Sequence, residues 1–111
     1  MGISVNDIVA IMLTQARQTA GNAWNTAGPV IESEFKNFGQ QLAQIGAGLA
    51  TGELTQDDAK DFIAAIRNNM VGAIALAVNV AQAAVQQIVN AALTAAKDAI
   101  NAFVKFPLIL A

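Results

Sequence analysis

The sequence predicts an all-α fold in which two long antiparallel helices are joined by one short turn near Gly52. Apolar residues recur at helical spacing through both halves of the chain. Between the halves, Gly46, Gly48 and Gly52 interrupt the pattern, and clustered glycines are typical of a helix end. Of the 111 residues, 55% are hydrophobic and 13% are charged, which indicates a folded chain rather than a disordered one. We therefore predict one helical-hairpin domain over residues 1–111.

The first helix is predicted over about residues 4–49. Ser4 or Asn6 can cap its start, and an apolar stripe runs from Val5 to Leu49. Pro29 is the weak point, because proline removes one backbone hydrogen bond and disfavours the helical conformation for Gly28. Since the stripe passes through Pro29 without losing phase, we predict a kinked but continuous helix. The alternative is a second helix that begins at Pro29.

The turn is predicted at about residues 50–54, and the second helix at about 55–106. Thr55 followed by Asp58 is a helix-start pattern, in which a hydroxyl caps the backbone and an acidic side chain follows three positions later. Pro107 ends this helix. Residues 107–111 then form an apolar tail.

The second helix is apolar around most of its circumference. Its polar positions form one narrow line: Asn79, Gln82, Gln86, Asn90, Lys97, Asn101 and Lys105. A helix of this kind is buried on several sides or lies in lipid. Each helix would be on the order of 70 Å long, and an isolated hairpin of that length would leave too much apolar surface in water. We therefore predict that hairpins assemble with copies of themselves into a homo-oligomeric bundle, barrel or filament.

Four amide residues, which we call the amide stripe, are predicted to line the interior of that assembly or to set the register of neighbouring helices. They are Asn79, Gln82, Gln86 and Asn90. Buried amides can form hydrogen-bond networks between helices. The partner predicted by the sequence is thus a second copy of the chain.

The chemistry of the side chains argues against an enzyme. The chain has no cysteine and no histidine, which excludes thiolate nucleophiles, imidazole bases and the usual zinc sites. The carboxylates of Asp57 and Asp58 suit the positive end of a helix dipole, and Glu32 and Lys36 are spaced for a surface ion pair. We predict no catalytic residue, cofactor or metal site. With a net charge of −2 and scattered basic residues, nucleic-acid binding is disfavoured.

Membrane activity is the main alternative. No charged residue lies between Arg67 and Lys97, a pattern also typical of a pore-forming or holin-like hairpin. The amides in this segment are costly in lipid, and its apolar window over residues 70–89 has no basic anchor close to its C-terminal end. We therefore rank the soluble assembly first. The first residues lack a basic stretch, so a secretory signal is not expected, and a cytoplasmic or virion-associated location is favoured over a membrane.

The apolar tail has two interpretations. Phe106, Leu108, Ile109 and Leu110 could dock into a groove on a neighbouring subunit or partner, or they could pack on the core of their own chain. The docking interpretation adds a third function class, an adaptor module.

Three stretches carry a family resemblance. The turn from Gly52 to Ala59, the alanine-rich helix after it and the ending from Ile100 to Phe103 resemble small helical proteins encoded in bacterial phage genomes. The resemblance covers about half of the chain. It implies a virion or assembly component and gives no residue a role.

Overall fold

A computed structural model describes residues 4–109, and this part of the chain consists of helices and turns without a β-strand. The elements are α1 (Val5–Ala20), a 3₁₀ turn (Gly21–Ala23), α2 (Trp24–Thr51), α3 (Gln56–Val78), α4 (Gln82–Ala95) and α5 (Lys97–Val104). The predicted all-α class is confirmed.

The first four helices form an antiparallel bundle. The contacting pairs make a ring, in which α1 packs on α2, α2 on α3, α3 on α4, and α4 on α1. Helices α1 and α2 form the first of two hairpins, and α3 and α4 form the second. In the first hairpin, Val5 and Val9 lie beside Gly39, while the guanidinium of Arg17 lies 5.4 Å from the centre of the Trp24 ring. The bundle measures 41 × 26 × 22 Å, so it is much shorter than the predicted hairpin.

The prediction of one kinked helix over residues 4–49 is wrong. The chain reverses at Gly21, whose φ of 55° is accessible to glycine but rare for other residues. Pro29 lies inside α2 without ending it. The apolar stripe keeps its phase because α1 and α2 both need an inward face, so periodicity alone did not reveal the turn.

The prediction of one helix over residues 55–106 is also wrong. Asn79 has a left-handed φ of 54° and ends α3, and α4 starts after Ala81. Asparagine tolerates this conformation better than other non-glycine residues. A second interruption at Ala96 separates α4 from α5. The break at Asn79 folds α4 back on α3 and α1, which buries apolar surface that a straight helix would expose.

The predicted boundaries at Gly52 and Thr55 are confirmed, whereas the last helix ends at Val104, before the predicted end at Pro107, because Lys105 adopts a left-handed conformation. Gly52 ends α2 in a left-handed conformation with a φ of 80°. The Asp58 N–H donates to Thr55 Oγ1 at 3.0 Å, and the Thr55 N–H donates to Asp58 Oδ2 at 3.1 Å. Ser4 and Asp7 make the same reciprocal pair at the start of α1. Each pair satisfies backbone donors that a helix start leaves free.

The core is entirely apolar in the described residues. Its largest fully buried side chains are Phe35, Phe38, Ile8, Met12, Ile31, Leu42, Ile74 and Ile100. A β-carbon on Gly39 would stand 2.8 Å from the side chains of Val5 and Val9, so this glycine lets α1 approach α2 closely. Burial of these side chains on both hairpins gives the chain a core of its own.

Candidate interaction surfaces

The amide stripe lies on the outside of the bundle. Gln82, Gln86 and Asn90 are exposed and follow one another at steps of four along α4. Asn79 is also exposed, and its backbone makes the left-handed turn after α3. The four residues therefore face away from the core of their own chain. Their predicted contact with other copies stays a prediction.

The apolar tail packs on the core of its own chain as far as the structure describes it. Leu108 is only 4% exposed, and Phe106 and Ile109 are half-buried. The Asn101 Nδ2 donates to the Ile109 carbonyl at 3.0 Å, and the Ile109 N–H donates to Asn101 Oδ1 at 2.8 Å. Leu110 lies outside the described residues. This geometry corresponds to back-packing, the alternative to docking on a partner.

Asn101 therefore has a role that the sequence pattern did not indicate. It belongs to the same polar line as the amide stripe, but its side chain is half-buried and holds the backbone at Ile109. Two hydrogen bonds from one amide satisfy a donor and an acceptor of the chain. Within the polar line, Gln82, Gln86 and Asn90 of α4 are thus exposed, whereas Asn101 of α5 has a structural role.

The outer side of α3 carries an exposed and mainly apolar surface that was not singled out from the sequence. We call it the α3 face, and its members are Phe62, Ala65, Asn69, Gly72, Ala73 and Leu76, all of them exposed. Leu76 is 88% exposed and Phe62 is 49% exposed. The members recur at steps of three and four, the spacing of one helix side. That spacing was visible in the sequence, but it could not show which side of α3 meets the core.

A groove continues the α3 face toward α2. It has a volume of about 560 Å³ and is lined by Phe62 and Ile66 of α3 and by Ile45 and Gly48 of α2, with Leu54 from the turn. A β-carbon on Gly48 would stand 2.7 Å from Leu54, so the turn packs tightly at its floor. Phe62 thus belongs both to the groove and to the outer side of α3.

Within residues 4–109, α3 alone is long and apolar enough to cross a membrane, judged by length and composition. The most apolar stretch of 18 residues in α3 has a mean hydropathy of 1.3, and 22% of that stretch is buried. The uncharged segment between Arg67 and Lys97 is not one helix, because the turn at Asn79 divides it. The predicted membrane segment is thus corrected, and any spanning helix would be α3.

The charged residues follow the predicted pattern. Lys36 Nζ lies 3.1 Å from Glu32 Oε1 on the exposed side of α2, which confirms that ion pair. Asp57 and Asp58 lie in the first turn of α3. Among the described residues, no group of three or more side chains is placed to hold a metal ion.

Comparison of the chain with protein-family models, with curated proteins and with solved structures finds no match.

Proposed function

We propose that the chain is a non-enzymatic structural or assembly protein whose bundles associate with copies of themselves into a larger bundle, barrel or filament. The supporting observation is the α3 face, on which Leu76 is 88% exposed and Phe62 is 49% exposed on one side of a helix. Full burial of a leucine or phenylalanine side chain stabilises by about 1.5–3 kcal/mol. A second surface that covers both residues would gain much of that energy.

The distribution of charge supports the same proposal. The sequence between Arg67 and Lys97 supplies the C-terminal part of α3, the turn at Asn79 and all of α4 without a charged side chain. Charged side chains oppose association because burying them in a contact removes their hydrating water at a cost in free energy. This uncharged part of α3 and α4 lacks that opposition, whereas α2 carries Glu32 and Lys36 on its exposed side.

The amide stripe on α4 is proposed to set the register between neighbouring bundles. The double substitution Gln82→Leu/Gln86→Leu should change the oligomer mass measured by light scattering, while the helix content in circular dichroism stays unchanged. The matched control is Gln40→Leu/Gln44→Leu, which makes the same change at exposed positions of α2. An unchanged oligomer mass in the α4 variant would contradict the register role.

Size-exclusion chromatography with light scattering tests the proposal directly. Protein purified without detergent should elute as a discrete oligomer or as a filament. A single-chain mass across a concentration series up to about 100 μM would contradict self-assembly, because association weaker than that gains less than about 5.5 kcal/mol.

A membrane-active helical hairpin is the second candidate function, and the length and apolar composition of α3 favour it. Insertion of α3 would require the bundle to open, because the inward side of α3, including Ile63 and Ile74, packs in the core. Release of a dye from liposomes, together with recovery of the protein only from membranes, would support this function over assembly in water. The resemblance to phage-encoded helical proteins extends the first proposal to a virion or assembly component.

A further inference from the structure

We propose that the α3 face is the contact between copies, and that it packs antiparallel on the α3 face of a second copy about a two-fold axis at Asn69. This inference rests on the proposed self-assembly and names its surface and geometry. The partner is a second copy of this chain because the face is complementary to itself when one helix is reversed.

The self-complementarity is visible in the order of residue sizes. Phe62 and Leu76 each lie seven residues from Asn69, and Ala65 and Ala73 each lie four residues from it. An antiparallel pair centred on Asn69 therefore places Phe62 opposite Leu76 of the second copy, and Ala65 opposite Ala73. A two-fold interface requires this reciprocity, in which the same patch serves both partners.

The same order of sizes suits two helices that cross. The distance between crossing helices is smallest at the crossing point and increases away from it. Small side chains surround Asn69 on α3, and the large side chains of Phe62 and Leu76 lie about 10 Å farther along the axis in either direction. The small residues permit close approach at the centre, and the large ones fill the space at both ends. The two Asn69 amides would meet at the centre, where each can donate and accept.

Gly72 gives independent support for a close neighbour at this place. Glycine inside a helix is less favourable than alanine, so a helical glycine calls for a reason in its surroundings. Gly28, Gly39 and Gly48 have one, because an added β-carbon would stand within 3.0 Å of a side chain. On Gly72 it would meet no atom of the described residues within 4 Å. In the antiparallel pair Gly72 comes opposite Ile66 of the second copy, next to Ala65, where a missing β-carbon allows closer approach.

The charges beside the α3 face select the antiparallel direction. Asp58 and Asp61 are exposed on the same side of α3, just before Phe62. A parallel pair would bring these carboxylates together with their own counterparts, and like charges repel. The antiparallel pair places them beside the uncharged turn at Asn79 of the second copy. Antiparallel helix dipoles add to the preference.

Disulfide trapping tests the geometry, and the chain is suited to it because it has no cysteine. In the antiparallel pair the two thiols of an Asn69→Cys variant meet at the two-fold axis. The thiols of a Leu76→Cys variant are about 21 Å apart, too far for a disulfide, whose α-carbons lie within about 7 Å. The Gln40→Cys variant on α2 gives the background rate of cross-linking by random collision. Asn69→Cys should cross-link about tenfold or more faster than both controls under mild oxidation, because the paired thiols have a high effective concentration.

A mixture of two further variants tests the register. Chains with Ala65→Cys and chains with Ala73→Cys should form a mixed disulfide when combined. Each variant alone should not, since its own thiols would be about 12 Å apart along the axis. All five substituted positions are exposed, and circular dichroism checks that the variants keep the helix content of the parent.

The possible outcomes separate this inference from the proposed function. Cross-linking of Asn69→Cys but not of Leu76→Cys supports the antiparallel pair. Equal cross-linking of both variants indicates a parallel pair and overturns it. Light scattering can show an oligomer while Asn69→Cys cross-links no faster than Gln40→Cys. That result overturns the inference but is consistent with self-assembly through another surface. Absence of cross-linking in a chain with a single-chain mass overturns both.

Discussion

The two longest helices, α2 and α3, pack side by side but present different surfaces to their surroundings. α2 has 28 residues and α3 has 23 residues. Outside the core, α2 exposes polar side chains and an ion pair between Glu32 and Lys36. α3 exposes Phe62 and Leu76. The same bundle thus contains one helix whose outer side is mainly polar and one whose outer side also exposes two large apolar side chains.

The difference cannot come from the requirements of the single-chain fold. Both helices direct apolar side chains inward, such as Phe35 and Phe38 on α2 and Ile63 and Ile74 on α3, and these four are buried. Folding therefore determines the inward sides of both helices, whereas the outward sides are free to vary. An outward side that is nevertheless apolar reports on a contact beyond the single chain, which is why we base the functional proposal on α3.

The largest expected contrast comes from the same truncation on the two helices. Phe35→Ala should lower the free energy of unfolding by about 3–5 kcal/mol, because Phe35 is fully buried and the change leaves a cavity. Phe62→Ala should lower it by less than about 1 kcal/mol in dilute protein, because half of that side chain is already in water. Urea unfolding followed by circular dichroism measures both. Equal losses of unfolding free energy would mean that Phe62 supports the core as Phe35 does, and would contradict the proposed difference between α2 and α3.

A charged residue introduced on the outer side of α3 should weaken association, whereas one introduced on the outer side of α2 should have little effect. Leu76→Glu removes apolar contact and buries a carboxylate in each half of the proposed pair, so association should weaken on the order of 100-fold or more. Gln40→Glu on the exposed side of α2 should leave it within a factor of about three. Light scattering over a concentration series measures the dissociation constant. A variant at Leu76 that associates like the parent would remove α3 from the interface.

The smallest expected effects concern two helical glycines and differ in sign. Gly72→Ala should raise the free energy of unfolding of the single chain by about 0.5–1 kcal/mol, since alanine suits an exposed helix and the added carbon has open space. The same change should weaken association at least about tenfold by separating the paired helices. Gly39→Ala should instead lower the free energy of unfolding by about 1–3 kcal/mol, because the added carbon meets Val5 and Val9.

For Gly72→Ala, thermal unfolding at low concentration and light scattering at high concentration give the two readouts. A variant that gains stability without any loss of association would show that no helix approaches Gly72 closely. That result would leave the glycine without a structural reason.

Sequence alone could predict the parts of the fold that local chemistry determines. The all-α class follows from periodicity, the reversal at Gly52 from a left-handed glycine, and the starts of α1 and α3 from Ser4 and Thr55 with their acidic partners. Each of these depends on residues within a few positions of one another. Such features are encoded almost independently of the rest of the chain.

The breaks at Gly21 and Asn79 depended on more distant contacts. Gly21-Asn22 is a turn-forming pair, but the apolar stripe continued across it and favoured a straight helix. Asn79 has no glycine or proline beside it. The reversal there is stabilised by the packing of α4 against α1, which the local sequence does not show. The α3 face was hidden for the same reason, because the exposed side of α3 is defined only after its other side has met α2 and α4.

The absence of polar side chains from the described core has a consequence for how such a sequence can change. An interior without side-chain hydrogen bonds distinguishes its residues by volume and not by chemical identity. Phe35, Ile31 and Leu42 can therefore be exchanged for other apolar residues of similar size more easily than the small Gly39 or Ala59 can be enlarged. Two chains with this architecture could share few identical residues and still preserve the same succession of large and small positions along each helix.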